Sequence, residues 1–400
     1  MHHRVVIVGG GTAGVTVAAR LRRAGVEDVA LLEPSGVHWY QPLWTLVGAG
    51  VSALERTRRP EATVVPRGVR WVQDAATELD PEEQAVTMAS GGRIGYDVLV
   101  LCPGLELAWD RVPGLFEAVA TPFASSNYTP ELAPKTAELM RRFRGGRALF
   151  TAPGTPVKCP GAPQKAAYLA SDHWRRGGVL GNATVTFATG AGGLFGVPEF
   201  ATVLAGVVER YGIDTRFGHE LTAVDPDGRR ACFTRAGGDG VDGSTVELDY
   251  DLLHAVPPQR APDFVRSSPL GGPGPFGWVP VDRHQLRHVS YPNVFALGDV
   301  CDAPTSKTGA AIRRQAPVVV ANVLATLAGE GELPARYDGY AACPFTTARG
   351  RLVLAEFDYS LAPHPTLPFL DTRRERRDLW YLKRFGLPAF YWHALLAGWG

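Results

Sequence analysis

Five cysteines, at 102, 159, 232, 301 and 343, are the residues of this chain best suited to redox or nucleophilic chemistry. Cys159 has the most reactive setting. It stands in a stretch, residues 151–168, that is stiffened by four prolines and carries Lys158 and Lys165 close by. The stretch follows a short apolar strand and runs into a helical segment, with Pro160 at a position that suits a first helical turn. A helix N-terminus and neighbouring lysines favour the thiolate, the reactive form of the side chain. The ordinary alternative is a buried packing cysteine. Cys343 is the candidate partner, because it too precedes a proline, in Tyr337-Asp-Gly-Tyr-Ala-Ala-Cys-Pro-Phe. Their separation along the chain leaves any contact to the fold. Cys102 and Cys301 read as packing residues, and Cys232 as a core position on a strand. No CxxC or Cys/His cluster points to a metal.

Something must hold such a loop against a redox partner, and the first hundred residues say what. Arg4-Val-Val-Ile-Val8 reads as a strand buried on both faces. Gly9-Gly-Gly-Thr-Ala-Gly14 follows at once, then a helix from Val15 to Ala24, then a strand from Val29 that ends at Glu33. Glycines 9, 11 and 14, with Thr12 and Ala13, allow a tight turn and a helix start that receives a pyrophosphate. Glu33, about twenty residues on, is placed for a ribose hydroxyl. Two later segments complete the pattern. Tyr96-Asp-Val-Leu-Val-Leu-Cys-Pro-Gly104 is a central strand ending in a glycine turn. Tyr291-Pro-Asn-Val-Phe-Ala-Leu-Gly-Asp299 ends a strand in Gly-Asp, which resembles the way glutathione-reductase-like flavoproteins hold the ribityl chain of FAD. The expected cofactor is FAD.

This order of motifs implies an α/β fold with two Rossmann-like dinucleotide-binding domains of the glutathione-reductase type. Residues 1–125 and 278–332 form the expected FAD domain, and 126–277 an inserted second domain with strands at 148–151, 184–188 and 252–256 and a glycine-rich turn near 236–244. Residues 333–400 form a C-terminal region. The second domain lacks a G-x-G-x-x-G after its first strand, and prolines there remove phosphate-binding N–H groups. Gly190-Ala-Gly-Gly193 has no acid about twenty residues later after a strand, so NADH is not expected to bind. A net charge of +1 argues against a nucleic-acid partner. The first strand, expected at Arg4, leaves no room for a signal or transit peptide, and no apolar run is long enough to span a bilayer.

The chain resembles the sulfide:quinone oxidoreductases, of the type related to the mitochondrial enzymes. The matching stretches are His38-Trp-Tyr-Gln-Pro-Leu-Trp-Thr-Leu-Val-Gly-Ala-Gly50, Pro156-Val-Lys-Cys-Pro-Gly-Ala-Pro-Gln-Lys165, Pro304-Thr-Ser-Lys-Thr308, Tyr337 to Pro344, and Leu354-Ala-Glu-Phe-Asp-Tyr359. The resemblance implies that Cys159 and Cys343 are a redox pair and that Gln41, Lys307 and Thr308 lie near FAD. Ala76 joins the same expected cofactor set. It implies hydrogen sulfide as substrate, with attack on a Cys159–Cys343 bridge, a persulfide on one cysteine and two electrons delivered to the flavin. Lys307 is expected to point its charge at the flavin N1–C2 carbonyl. A small sulfur acceptor (a thiol, sulfite or sulfide) would remove the persulfide sulfur, and a quinone would reoxidise the flavin.

The C-terminal end bears on the quinone. Residues 372–384 hold six basic side chains, Lys383 among them, against Glu375 and Asp378, and Trp, Tyr and Phe crowd residues 380–399. Two short helices broken at Gly386-Leu-Pro388 are expected to lie on a membrane surface; packing on the FAD domain or a dimer interface is the alternative. Deleting residues 379–400 is then expected to spare sulfide-driven FAD reduction while weakening membrane association. The expected location is the cytoplasmic face of a bacterial cell membrane, as a peripheral protein. A homo-oligomer is compatible with the sequence. The competing functions are a type II NADH:quinone oxidoreductase, a sulfide dehydrogenase serving a cytochrome, and a flavin-bound persulfide sensor without turnover.

Overall fold

The computed structural model describes residues 1–237 and 240–400. The unbroken apolar run Val5-Val-Ile-Val8 forms the centre of a mostly parallel sheet, and all four side chains are buried. That is what a strand covered by helices on both faces requires. Its strand, His2–Val8, lies between Val29–Leu32 and Arg93–Leu101, both parallel to it. Arg70–Val72 extends one edge; the antiparallel strands Ala85–Met88 and Ala76–Asp80 extend the other. Val294–Ala296 then returns beside Arg93–Leu101. The helix Thr12–Arg23 packs against the long helix Gly309–Leu327.

A second parallel sheet has the order Ala124–Ser125, Leu252–His254, Gly146–Ala152, Ala183–Thr189, Asp214–Phe217. An antiparallel sheet of His219–Asp225, Arg230–Gly237 and Gly240–Asp249 follows. Residues 238 and 239, at the centre of the expected glycine-rich turn, lie outside the described residues. Cys232 is on the middle strand of this sheet but half-buried beside Glu247, so it is not a core residue. Alternation along the strand was real; the side chosen for burial was the other one, where Ala231 and Phe233 pack.

Near the C-terminus a hairpin, Ala341–Ala348 with Arg351–Phe357, packs on the helix Ala162–Arg176. Cys343 and Phe345 share a buried cluster with Ala166, Ala167 and Tyr168 of that helix. The last segment is not two helices with a break. Arg377–Tyr381 is α-helical, Leu382–Gly386 is a π-helical stretch, and Leu387–His393 resumes the α-helix with Pro388 in its first turn. The π-helical turn just before Pro388 is where the continuous ladder accommodates a residue that has no N–H to donate. One face of this run, with Leu379, Trp380, Tyr391, Leu395 and Leu396, joins the core of the first sheet. Among the described residues no helix is long and apolar enough to cross a membrane.

Candidate active site

The glycine turn at residues 9–14 is shaped by close backbone approach. A methyl group on Gly14 would lie 1.8 Å from the Gly9 carbonyl oxygen, and one on Gly9 would lie 2.4 Å from the Cys102 carbonyl. Gly11, by contrast, faces open space within 4 Å. The first-turn N–H groups of the helix Thr12–Arg23, which include those of Ala13 and Gly14, have no helical acceptors and suit an anion. Glu33 Oε2 accepts from the Gly10 N–H at 2.6 Å, and burial raises its pKa. Beside it, Glu61 Oε1 is buried and unpartnered among the described residues. The open glycine, the free helix end and the orphaned acidic oxygen fit a dinucleotide with ribose hydroxyls.

The other expected cofactor residues surround this turn and the segment after the returning strand. Gly104, at φ +78°, also faces open space. Ala76 opens an edge strand opposite Met88, a short loop beyond Val72, whose carbonyl accepts from the Glu33 N–H. Asp299 lies in a single turn after Gly298, with its pKa raised by burial. Thr308 caps the helix Gly309–Leu327, its hydroxyl accepting from the Ala311 N–H at 3.2 Å. Lys307 differs from expectation. Its ammonium donates to the Asp299 and Cys301 carbonyls, both at 2.7 Å, and lies 3.9 Å over the Trp278 ring. The long side chain folds back beneath its own loop, so two of its donors are already taken by carbonyls. Gln41 is exposed, with its Oε1 accepting from Lys158 Nζ at 2.8 Å.

The loop after Gly146–Ala152 carries Cys159. It is not at the helix start: the helix begins at Ala162, and Pro163 rather than Pro160 sits in its first turn. Cys159 has φ +47°, a left-handed conformation that costs a non-glycine residue about 1 kcal/mol or more. Four hydrogen bonds hold it there. The Cys159 N–H donates to the Lys307 carbonyl at 2.7 Å, and the Lys158 N–H to Gln259 Oε1 at 2.7 Å. The Cys159 carbonyl accepts from the Tyr128 hydroxyl and the Ala162 N–H. The loop is therefore tied across to the Lys307 segment of the first sheet's domain.

The fold brings Cys343 to Cys159. Their thiols are within hydrogen-bond reach, and both are free. Gly161 makes the approach possible, since a methyl there would lie 2.6 Å from Cys343 Sγ. Lys165, 1% exposed, donates to Cys159 Sγ at 3.2 Å. Cys159 is held well below the ordinary thiol pKa, by the Cys343 hydrogen bond first and then by Lys165 and Lys383. Cys343 is pushed up by burial and by donating to Cys159. Burial would lower Lys165, but the Cys159 thiolate raises it.

Lys383 corrects the surface reading of the basic segment. It is 2% exposed, donates to the Pro42 carbonyl at 2.7 Å and is lowered to about 7 by burial and by Lys165. A lysine that titrates near neutrality beside two thiols can take up or return a thiol proton. Sequence offered no sign of this, because a lysine next to an arginine in a basic segment reads as solvated. Arg373, Arg374 and Arg377 do face outward; Arg373 and Arg374 pair with Asp371, and Arg376 pairs with Asp378.

On the first strand of the antiparallel sheet, Glu220 carries no mark in the sequence. Its carboxylate accepts from the Gly154 N–H at 2.7 Å and lies against Gly190. The loop that would hold a second pyrophosphate is thus occupied by an internal anion.

Residues 3–137 match the family model described as pyridine nucleotide-disulphide oxidoreductase. The mitochondrial sulfide:quinone oxidoreductase of Mus musculus is 40% identical over 100% of this chain and 88% of its own length. That of Dictyostelium discoideum is 39% identical over 99% of this chain and 86% of its own. The crystal structure of the sulfide:quinone oxidoreductase from Aquifex aeolicus matches with TM-score 0.82 and 21% identity, covering 99% of this chain and 92% of that one, which establishes a common fold. With identity of this level over the whole length, the chain belongs to the sulfide:quinone oxidoreductase family.

Proposed function

We propose that the protein oxidises hydrogen sulfide at the Cys159–Cys343 pair and passes two electrons through FAD to a quinone. The observation that carries this reading is the pair itself. Two thiols meet over a buried lysine in a loop where a nicotinamide site would keep glycines. A flavin is implied by the family, and FAD suits the residues. Gly9, Gly11, Thr12, Ala13 and Gly14 would hold the pyrophosphate and Glu33 a ribose. Asp299, Thr308, Gln41, Ala76, Gly104 and the Lys307 backbone would hold the remainder. Bound there, FAD would supply the two-electron acceptor for the dithiol and the donor for quinone.

The protein's own part begins with the bridged pair. Hydrosulfide attacks one sulfur, the S–S bond breaks, and the other sulfur leaves as a thiolate. Lys165 stabilises Cys159 as that leaving group, which directs the new S–S bond to Cys343. A thiol, sulfite or second sulfide then takes the outer sulfur, leaving two thiols whose reoxidation releases two electrons and two protons. Lys383 is placed to accept one of those protons.

The quinone side is a membrane surface. Tyr381, Phe385 and Phe390 are exposed on the outer face of the C-terminal run, opposite its buried face. We assign this face to peripheral binding, with the cytoplasmic side of a bacterial membrane as the expected location.

The test is anaerobic titration of the flavin spectrum with sulfide, then addition of a short-chain quinone, with NADH in parallel. Sulfide should bleach the flavin, quinone should restore it, and NADH should do neither. Cys159→Ser and Cys343→Ser should each retain the flavin but lose bleaching by sulfide. Normal bleaching in both variants would end this mechanism, and bleaching by NADH would favour the NADH:quinone reading.

A further inference from the structure

A buried polar chain lies outside the cysteine chemistry. His38, 2% exposed, has its Nδ1 3.1 Å from Glu61 Oε2 and its Nε2 2.6 Å from the Tyr391 hydroxyl. The same hydroxyl is 2.9 Å from Thr12 Oγ1. Thr12 begins the helix whose free end faces the glycine turn. At the far end of the chain, Glu61 is 1% exposed and its Oε1 has no partner among the described residues. That oxygen lies 3.0 Å from where a methyl on Gly10 would stand, in the space Glu33 also borders. A buried acidic oxygen left unpaired is costly, and a hydroxyl donor would satisfy it.

Tyr391 belongs to the C-terminal run, which follows the same helix to its other end. The Tyr391 ring packs on Tyr40 at 4.3 Å. Arg23 lies 3.2 Å over the Trp399 ring, and Arg20 donates to the Gly400 carbonyl. The helix that receives a pyrophosphate at one end is thus gripped by the C-terminal segment along its length.

We propose that Glu61, His38, Tyr391 and Thr12 form a latch that couples dinucleotide binding to seating of the C-terminal segment, with Glu61 Oε1 accepting from an adenosine ribose hydroxyl. The proposal rests on the reading that FAD is the dinucleotide. Each member holds the next: Tyr391 orients His38, His38 fixes one oxygen of Glu61, and the other oxygen turns to the ribose. Coupling of this kind is reciprocal. FAD therefore tightens residues 387–399 on the core, and a loosened segment weakens FAD. Glu61 is a binding residue in this scheme; Tyr391 and His38 are positioning residues.

The test uses full-length protein stripped of flavin and titrated with FAD, followed by quenching of flavin fluorescence. Tyr391→Phe keeps the ring and removes only the hydroxyl; Glu61→Gln keeps the shape and removes the charge. Each should weaken FAD binding by about tenfold, since each removes a bond to a buried charged acceptor or its positioning partner. The double variant should weaken it by much less than the product of the two, because Tyr391 acts through Glu61. In wild-type protein, adding FAD should slow hydrogen exchange of the amides at 387–399, and Tyr391→Phe should lose most of that slowing. The latch is overturned by single variants that bind FAD within about twofold of wild type, by a multiplicative double variant, or by wild-type exchange that FAD leaves unchanged. The exchange arm needs no substitution, so a misfolded variant cannot shield the proposal. Wild-type protein that takes up no FAD at all overturns the cofactor reading, and the latch with it.

Discussion

Two lysines in opposite electrostatic situations act on the Cys159 thiolate, which the Cys343 hydrogen bond holds most strongly. Lys165 keeps its proton because it faces the Cys159 thiolate, whereas Lys383 is lowered to about 7 because burial and Lys165 act together on it. Lys165→Met should remove a main support of the thiolate and move the acid limb of the sulfide-oxidation pH profile upward. At pH 7 the rate should fall about tenfold, as expected where loss of a neighbouring charge raises the thiol pKa by about one unit past the assay pH, with the Cys343 hydrogen bond still in place. A profile unchanged from wild type would show that Lys165 does not control the thiolate. Lys383 predicts a stability effect as well. In the unfolded chain it is protonated below about pH 10.4; folded, it is neutral above about 7. Between those values the unfolded state binds more protons, so this residue makes stability rise with pH, by up to about 5 kcal/mol across the window. Lys383→Met should lack that contribution. Thermal melting of both proteins from pH 7 to 10 measures the difference, and parallel curves would show that Lys383 is charged when folded.

At the scale of elements, the C-terminal run has two faces with different work. Leu379, Trp380, Tyr391, Leu395 and Leu396 are core residues, while Tyr381 and Phe385 are about half exposed, 54% and 43%. Burying an exposed aromatic side chain in a bilayer surface is worth about 1.5–3 kcal/mol. Replacing Tyr381 and Phe385 together by serine should therefore weaken binding to lipid vesicles at least tenfold, measured by flotation, while sulfide still bleaches the flavin. Equal flotation would move the membrane contact elsewhere on the surface. The π-helical stretch matters to this division. It carries the buried Lys383 between the exposed Tyr381 and Phe385, and such insertions in helices recur at functional sites.

For the whole molecule, the deletion expected from sequence to be mild should be severe. Removing residues 379–400 takes away Lys383 beside the cysteines and Tyr391 beside the glycine turn, and with them several fully packed core side chains. The truncated chain should melt well below the full-length protein and retain little flavin, as calorimetry and the bound-flavin absorbance would show. A truncated protein with wild-type melting and normal bleaching would mean that the segment is an appendage. The same integration explains the cysteine pair. Cys159 hangs from the second sheet, Cys343 from the C-terminal hairpin, and Lys307 of the first sheet's domain supplies the carbonyl that fixes Cys159. Three parts of the fold must be in place before the pair exists.

Local chemistry made the glycine turn, Glu33, the Gly298-Asp299 turn and the α/β fold legible in the sequence, because close backbone approach and unbroken apolar strands leave marks within a few residues. The reactive setting of Cys159 could be read for the same reason, from prolines and lysines beside it. Its left-handed backbone, its place three residues ahead of the helix and its meeting with Cys343 through Gly161 could not, since each depends on groups far along the chain. Lys383, Glu61, His38 and Tyr391 were invisible for a related reason. A charged or aromatic residue has the same signature in sequence whether it faces water or a partner hundreds of residues away, and only tertiary packing, by removing the water, decides which it does.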